Sequence, residues 1–157
     1  MRLMTMLAAC ILGLILCAPA AAETITHPQS GLPVANLLIT KPGANTGSGF
    51  RVEVAATPAQ QERGLMFRTR MGANEGMIFP MEPPRPAAFW MKDTLIPLDI
   101  IFIGTDGRIL NIVADAKPRD ETPLYSAGDV SAVLEINGGG AARRGIKVGD
   151  EVRWDAP

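Results

Sequence analysis

Two acidic residues lie inside apolar runs of the sequence. Asp99 interrupts the run 95–102, and Glu135 interrupts the run 132–136. A carboxylate between such neighbours on a β-strand is partly desolvated, which is costly unless a cation or several N–H groups bind it. We therefore expect each acid to have a partner, and four basic residues are candidates: Arg63, Arg68, Arg70 and Lys92.

Two roles are open for these carboxylates. They form structural ion pairs or cap backbone N–H groups, or they line a ligand pocket, because perturbed carboxylates collect both in scaffolds and at functional sites. Lys92 opens the loop that leads into the strand of Asp99. We predict that Lys92, Asp99 and Glu135 form one charged cluster at the mouth of a pocket. Ligand contacts are then expected from Arg68, Lys92, Asp93, Asp99 and Glu135.

Several familiar catalytic and metal sites lack their residues. The chain has one histidine, His27, and its two cysteines, Cys10 and Cys17, lie in the first 22 residues. Ser–His–Asp and Cys–His systems, and zinc sites built from histidine or cysteine, therefore lack their parts. The glycine run 138–140 has no lysine of the kind that a phosphate-binding loop uses. We expect no metal and no cofactor.

Five methionines fall within residues 66–91. Clustered thioethers can bind Cu(I), which is a soft cation. The spacings M-x-M and M-x-x-M are absent here, however, and methionine more often fills gaps in a core. Copper handling is therefore only the third hypothesis for this segment, whose methionines are Met66, Met71, Met77, Met81 and Met91.

The first 22 residues have the order of a secretory signal peptide. Arg2 precedes an apolar stretch, Pro19 follows that stretch, and residues 20–22 are all alanine. The stretch has about 12 residues, whereas a bilayer-spanning helix needs about 20. We expect cleavage before Glu23 and a periplasmic or secreted protein without stable membrane insertion. Lipidation of Cys10 is the weaker alternative.

The charge of the remaining chain is nearly balanced. Arg2 is the only charged residue in the segment 1–22, so 14 basic and 16 acidic residues remain, and no basic run exceeds Arg143-Arg144. A nucleic-acid-binding protein usually presents a basic face, so we expect no nucleic-acid partner. A chain of about 135 residues can bury a single core without disulfides.

Short β-strands must position the candidate residues. After an extended lead-in at 23–33, one β-rich domain is expected over 34–157. A short helix is predicted over 58–63, because Thr57 and Gln60 can form a capping box and Gly64 can end the helix. Proline-rich 81–86 and residues 117–128 are expected to be connections, and 140–144 one helical turn. Strands are predicted at 34–40, 50–55, 76–79, 87–91, 98–103, 108–113, 131–136 and 151–154.

This series of elements indicates a mainly β domain, α+β at most. About eight short strands with one or two short helices are typical of an antiparallel β-sandwich or a barrel-like domain. The sequence Gly-Thr-Asp-Gly at 104–107 predicts a hairpin. The expected core includes Leu65, Ile78, Phe79, Phe89, Ile100, Phe102, Ile112, Leu134 and Ile146.

The segment 89–100, Phe-Trp-Met-Lys-Asp-Thr-Leu-Ile-Pro-Leu-Asp-Ile, resembles a bacterial and archaeal family known as domain of unknown function 192. Further segments follow in the family's order at 63–68, 76–79, 133–135 and 145–150. The resemblance covers about residues 50–154. It implies a mainly β, sandwich-like fold with a short helix in an often exported protein, and it implies no reaction. The family usually has asparagine where Asp93 stands, which puts any amide-specific role there in doubt.

Three functions follow in order of preference. The first is an exported binding or accessory protein for a small polar molecule, an envelope glycan or a peptide. The second is a hydrolase or lyase that uses Asp99 and Glu135 as acid and base, with Lys92 adjusting the pKa of one of them. The third is soft-metal handling by the methionines.

Overall fold

The computed structural model describes residues 24–155, so the predicted signal peptide and Cys10 lie outside the described residues. The described part is mostly β-structure with two short helices, as the sequence predicted. Its elements are β1 (Val34–Thr40), β2 (Gly47–Val54), α1 (Pro58–Arg63), β3 (Glu75–Phe89), β4 (Leu98–Gly104), β5 (Ile109–Ala116), β6 (Leu124–Asn137), α2 (Gly140–Arg144) and β7 (Glu151–Trp154).

The seven strands form one curled sheet in the order β5-β4-β6-β3-β2-β1-β7. All neighbouring strands are antiparallel except β2 and β3, which are parallel. The two ends of this order approach each other, because Arg108 and Glu151 form an antiparallel bridge. The N–H of Ile109 also donates to the carbonyl of Asp150 at 2.9 Å. Because β5 and β7 are joined only at this point, the curled sheet is a half-barrel.

The half-barrel has an apolar cluster on each face of its central strands. The inner cluster draws on every strand and includes Val52, Ile101 and Leu134. The outer cluster is built on β3, β4 and β6, and it includes Phe102 and Val133. The segment after α1 and the loop before β4 cover the outer cluster. The central strands are consequently buried on both faces.

Most of the predicted core is confirmed. Phe89 and Ile112 are partly buried and pack against the two clusters. Met77, Met81 and Met91 are also buried in the outer cluster, where they fill the core. The fully confirmed core residues are Leu65, Ile78, Phe79, Ile100, Phe102, Leu134 and Ile146.

Elements specified by local sequence have their predicted bounds. Helix α1 covers Pro58–Arg63, Thr57 and Gln60 form the capping box, and Gly64 follows the last turn. Helix α2 and strand β7 also occur where they were predicted. Local capping signals are sufficient for α1, whereas β7 also pairs with the distant strand β1, and Asp99 of β4 binds the start of α2.

The proline-rich segment differs from the prediction. Instead of two strands and a connection, β3 runs without a break through Glu75–Phe89. Its partner β6 begins already at Leu124, within the predicted loop 117–128. The register shifts between Pro80 and Arg85, so the prolines occupy an irregular stretch where regular N–H donation is not needed.

The lead-in folds back on itself before β1. The N–H of His27 donates to Leu32 O at 2.8 Å, and the N–H of Val34 donates to Ile25 O at 2.8 Å. Ser30 Oγ hydrogen-bonds the carboxylate of Glu53 on β2. Residues 24–33 thus cover part of the outer face of β2.

A glycine on β3 tests the packing of the central strands. A Cβ at Gly76 would lie 2.5 Å from the backbone carbonyl oxygen of Glu135, whereas a Cβ at Gly49 would meet no atom within 4 Å. We expect Gly76→Ala to lower the free energy of unfolding by about 1–3 kcal/mol in urea titrations. Gly49→Ala, the matched control on β2, should change it by less than about 0.5 kcal/mol. Equal effects of the two changes would contradict the packing described here.

Candidate functional site

The structure does not bring the five predicted site residues together. Glu135 and Lys92 line one cleft. Asp99 binds backbone N–H groups elsewhere, and Arg68 pairs with Glu53. Asp93 lies exposed in the loop before β4. The single charged cluster expected for Lys92, Asp99 and Glu135 is therefore not formed.

Asp99 and Glu135 lie on adjacent strands but on opposite faces of the sheet. Glu135 pairs with Ile100, and Asp99 pairs with Ile136. Successive side chains on a strand point to opposite faces, so Glu135 shares the outer face with Ile100, and Asp99 shares the inner face with Ile136. The two carboxyl groups cannot act as acid and base on one small substrate.

Backbone N–H groups bind both oxygens of the Asp99 carboxylate. Its Oδ1 accepts from the N–H of Asp115 at 2.8 Å and of Gly139 at 2.9 Å, and its Oδ2 accepts from the N–H of Ala141 at 2.7 Å. These bonds join β4 to β5 and to the start of α2. Of the two roles considered for this acid, the structure shows the backbone-capping one.

Arg68 is likewise used in a buried ion pair. Its guanidinium group binds both carboxylate oxygens of Glu53, at 2.7 and 2.9 Å. Ser30 hydrogen-bonds the same carboxylate, and His27 Nδ1 lies 3.6 Å from it. Residues 24–33 and Arg68 cover that face of β2.

One cleft remains with an acid that no scaffold contact explains, and we call it the Glu135 cleft. It lies between α1 with its following turn, the second half of β3, and the loop 90–94, and its volume is about 360 Å³. The side-chain amide of Gln61 donates to Pro80 O at 2.8 Å and to Ala55 O at 3.2 Å, which fixes α1 beside β3.

The lining of the Glu135 cleft changes from apolar to cationic towards solvent. Leu65, Phe79 and Glu135 form its buried part. Its exposed and half-buried part carries two arginines, a lysine and an indole, which belong to Arg63, Arg85, Lys92 and Trp90. None of these three cations forms an ion pair within residues 24–155.

Burial dominates the electrostatics of Glu135. Its side chain is 5% exposed and stands between Met77 on β3 and Ile100 on β4. This apolar surrounding raises the pKa of Glu135 to about 8, with no hydrogen bond or nearby charge among the described residues opposing the shift. At neutral pH the group is mostly a neutral carboxylic acid, which can both donate and accept a hydrogen bond.

The family is decided by comparison with known proteins. Residues 39–154 match DUF192, which is described as an uncharacterized ACR. The chain belongs to the DUF192 family. No curated protein matches it.

Two solved structures resemble this DUF192 chain. A protein of unknown function from Novosphingobium aromaticivorans DSM 12444 shares 56% sequence identity and a TM-score of 0.80, covering 85% of this chain and 94% of the other. A candidate transcription regulator from Sinorhizobium meliloti 1021 shares 36% identity and a TM-score of 0.74, covering 78% of this chain and 95% of the other. This chain therefore shares its fold with these two proteins, and the family match confirms the resemblance found in the sequence.

The backbone accounts for the asparagine that the DUF192 resemblance implies at position 93. Asp93 has φ +53°, and its carbonyl accepts the N–H of Phe67, which has φ +62°. Asparagine and aspartate are the residues other than glycine that tolerate this left-handed region best. Either side chain therefore satisfies the backbone, and no amide contact is required.

Sequence reasoning missed part of the lining of this DUF192 cleft. In the sequence, Trp90 was distinguished only by its place in the segment that resembles the family, and Arg85 lay in a predicted connection. Arg85 reaches the cleft because β3 continues through the proline-rich segment. Trp90 follows directly after β3. The extension of β3, which depends on pairing with β6, was the missing information.

Within residues 24–155 there is no group of three or more histidine, cysteine, aspartate or glutamate residues placed to hold a metal ion. The same residues include no helix with the length and apolar character needed to span a membrane.

The role of Asp99 can be tested by an isosteric change. Asp99→Asn replaces one acceptor oxygen with an amide NH₂ that faces N–H donors. We expect the free energy of unfolding to fall by about 2–4 kcal/mol, measured by urea titration. Asp129→Asn, the same change at an exposed position of β6, should alter it by less than about 0.5 kcal/mol. If the Asp99 variant were as stable as this control, the capping role would be wrong.

The raised pKa of Glu135 predicts a pH-dependent stability. The folded protein keeps this proton up to about pH 8, whereas the unfolded chain loses it near 4.5, so stability falls as pH rises between these values. The cost at pH 7 is roughly 3 kcal/mol. In thermal denaturation from pH 5 to 8, we expect Glu135→Gln to flatten the profile and to melt above the wild type at pH 8.

The control for this experiment is Glu121→Gln, because Glu121 is exposed. Its pH profile should run parallel to that of the wild type. A Glu135→Gln profile that also ran parallel would show that Glu135 is ionised in the folded protein.

Proposed function

We propose that this DUF192 protein is an exported binding protein whose Glu135 cleft holds a small polar ligand with at least one negative charge. The observation that carries the proposal is the buried carboxyl group of Glu135, which lines the cleft without a protein partner. The rest of this side chain is buried, so a hydrogen-bond partner for the carboxyl group can come only through the cleft, and perturbed carboxyl groups of this kind collect at functional sites.

The contrast with Asp99 supports a ligand-binding role. Asp99 is as deeply buried, but three backbone N–H groups bind it. The same fold therefore satisfies one buried acid completely and leaves the other facing a cleft. A ligand group in the cleft would supply the hydrogen-bond partner that Glu135 lacks.

The charge of the ligand follows from the outer part of the cleft. Three cations line this part of the cleft and form no ion pair with a carboxylate of the described residues: Arg63, Arg85 and Lys92. Against these three cations, the cleft lining has one exposed acid, Glu62, and Glu135, which is mostly neutral at pH 7. The cleft is therefore positive at neutral pH and favours an anion.

Export is part of the proposal because residues 1–22 have the order of a cleavable signal peptide. The description of the Sinorhizobium protein as a candidate regulator of transcription is not extended to this chain. An exported protein does not meet the chromosome, and acidic residues outnumber basic ones after residue 22. An enzyme that uses Asp99 and Glu135 as acid and base does not fit this geometry, because the two carboxyl groups lie on opposite faces of the sheet.

Matched pairs of sugars provide a direct test of the cleft. Galacturonate and N-acetylmuramate carry a carboxylate, whereas galactose and N-acetylglucosamine are neutral counterparts. In ligand-detected NMR and calorimetry at pH 6.5, we expect the acids to bind and the neutral sugars to bind more weakly by about tenfold or more. Simple dicarboxylates and acidic dipeptides complete the set of anionic probes.

Substitutions in the cleft test whether the anionic ligands bind there. Arg85→Gln and Glu135→Met, which removes the hydrogen-bonding group at similar size, should each weaken binding of the acids by about tenfold, as expected for loss of one charge-assisted or buried hydrogen bond. Arg51→Gln is the control, since Arg51 is exposed on β2 and does not line this cleft. The proposal fails if no anionic probe binds, or if the cleft variants bind as the control does.

A further inference from the structure

A second cleft continues from the Glu135 cleft on the other side of the turn after α1. We call it the arginine cleft; its volume is about 680 Å³. Arg63, Gly64 and Met66 line both clefts, so the two are neighbours along one surface. Both open to solvent, and we call the two clefts together the groove; their combined volume exceeds that of a single sugar or amino acid.

Cationic side chains outnumber acidic ones along the groove, and both of its acids, Glu62 and Glu135, belong to the first cleft. The arginine cleft is lined by Arg63, Arg68 and Arg70, and no carboxylate of the described residues lines it. Arg68 is neutralised by Glu53, whereas Arg63 and Arg70 form no ion pair within residues 24–155. Free cations therefore extend from Arg85 and Lys92 in the first cleft to Arg70 in the second.

Two exposed aromatic rings accompany these cations. Trp90 is 46% exposed and Phe67 is 57% exposed. Lys92 Nζ lies 5.2 Å from the Trp90 ring, and Arg63 Cζ lies 5.7 Å from the Phe67 ring. Each cleft thus combines an amphipathic aromatic surface with a cation, an arrangement suited to a ring that is apolar on one side and carries an acid at its edge.

The backbone holds Phe67 in its exposed position. Phe67 has φ +62°, which is an unfavourable region for an aromatic residue. Its N–H donates to the carbonyl of Asp93 at 2.8 Å, which ties the turn after α1 to the loop that carries Lys92. Backbone strain of this kind persists where the surroundings enforce it, and it clusters at binding sites.

The edge of β3 beside the groove disfavours a peptide strand. β2 pairs with β3 only along Glu75–Ile78, so the continuation of β3 has no strand on this side. Peptides usually bind such an edge by adding a strand through backbone hydrogen bonds. Here the N–H donors are missing at four positions, which protects the edge from strand addition: Pro80, Pro83, Pro84 and Pro86.

We infer that the groove binds a segment of an acidic polysaccharide that lies across both clefts. This inference rests on the proposed function and extends it from a small anion to a polymer. One acidic sugar would occupy the Glu135 cleft beside Trp90, and a sugar further along the chain would lie beside Phe67 and Arg70. Hydroxyl groups of the first sugar would hydrogen-bond the Glu135 carboxyl group.

The experiment measures how affinity depends on chain length. Oligomers of one, three and six residues from galacturonan, alginate and the N-acetylglucosamine–N-acetylmuramate glycan are titrated into the mature protein by calorimetry at pH 6.5. We expect the affinity for at least one series to rise by about tenfold or more from monomer to hexamer. A neutral N-acetylglucosamine hexamer should not show this gain.

Variants separate the inference from the proposed function. Arg70→Gln should weaken hexamer binding by about tenfold and leave monomer binding unchanged, whereas Arg85→Gln should weaken both. Arg51→Gln should change neither, and far-ultraviolet circular dichroism should show that all three variants fold. This pattern would support a ligand that spans both clefts.

The other outcomes overturn the inference in distinguishable ways. If anionic monomers bind but no series gains affinity with length, the ligand is small and the proposed function alone stands. If no sugar or other anionic probe binds, both fail. If hexa-aspartate or a thymidine hexanucleotide binds more tightly than every acidic hexasaccharide, the groove serves another class of polymer.

Discussion

The structure depends on the second half of β6, which is buried on both faces in the interior of the sheet. It pairs with β3 on one side and β4 on the other, and Val133 and Leu134, which point in opposite directions, are both inaccessible to solvent. Any polar side chain in this stretch must therefore find a partner within the protein or face a cleft. The same constraint explains why Asp99 and Glu135 are both buried and why they are separated by the sheet.

The two buried acids differ in their hydrogen bonding because different elements cover the two faces of the sheet. On the inner face, the glycine turn before α2 presents N–H groups to Asp99, so the carboxylate joins three parts of the chain. On the outer face, the side chains of Met77 and Ile100 flank Glu135 and offer no hydrogen bond. Burial then favours the neutral acid, and the cleft above it remains available to a polar group.

The sequence was sufficient to predict the elements whose conformation depends only on neighbouring residues. The capping box of α1 and the hairpin at 104–107 need only neighbouring residues, and both occur as predicted. The continuation of β3 through its prolines was missed because pairing with β6 determines it, and the two strands are distant in sequence. The burial of Asp99 and Glu135 was foreseen from their apolar neighbours. Their separation was not, because it follows from the register of β4 against β6.

Glu135 links protonation, stability and the proposed ligand through one equilibrium. The protein loses stability as pH rises from about 4.5 to about 8, because the unfolded chain releases this proton near 4.5 whereas the folded protein keeps it to about 8. A group that lowers stability at neutral pH is retained where function requires it. An anion in the cleft is compatible with the neutral acid and is repelled by the carboxylate, so binding and proton uptake would favour each other. This reciprocity gives Glu135 a role in the proposed site that a fully capped carboxylate such as Asp99 cannot have.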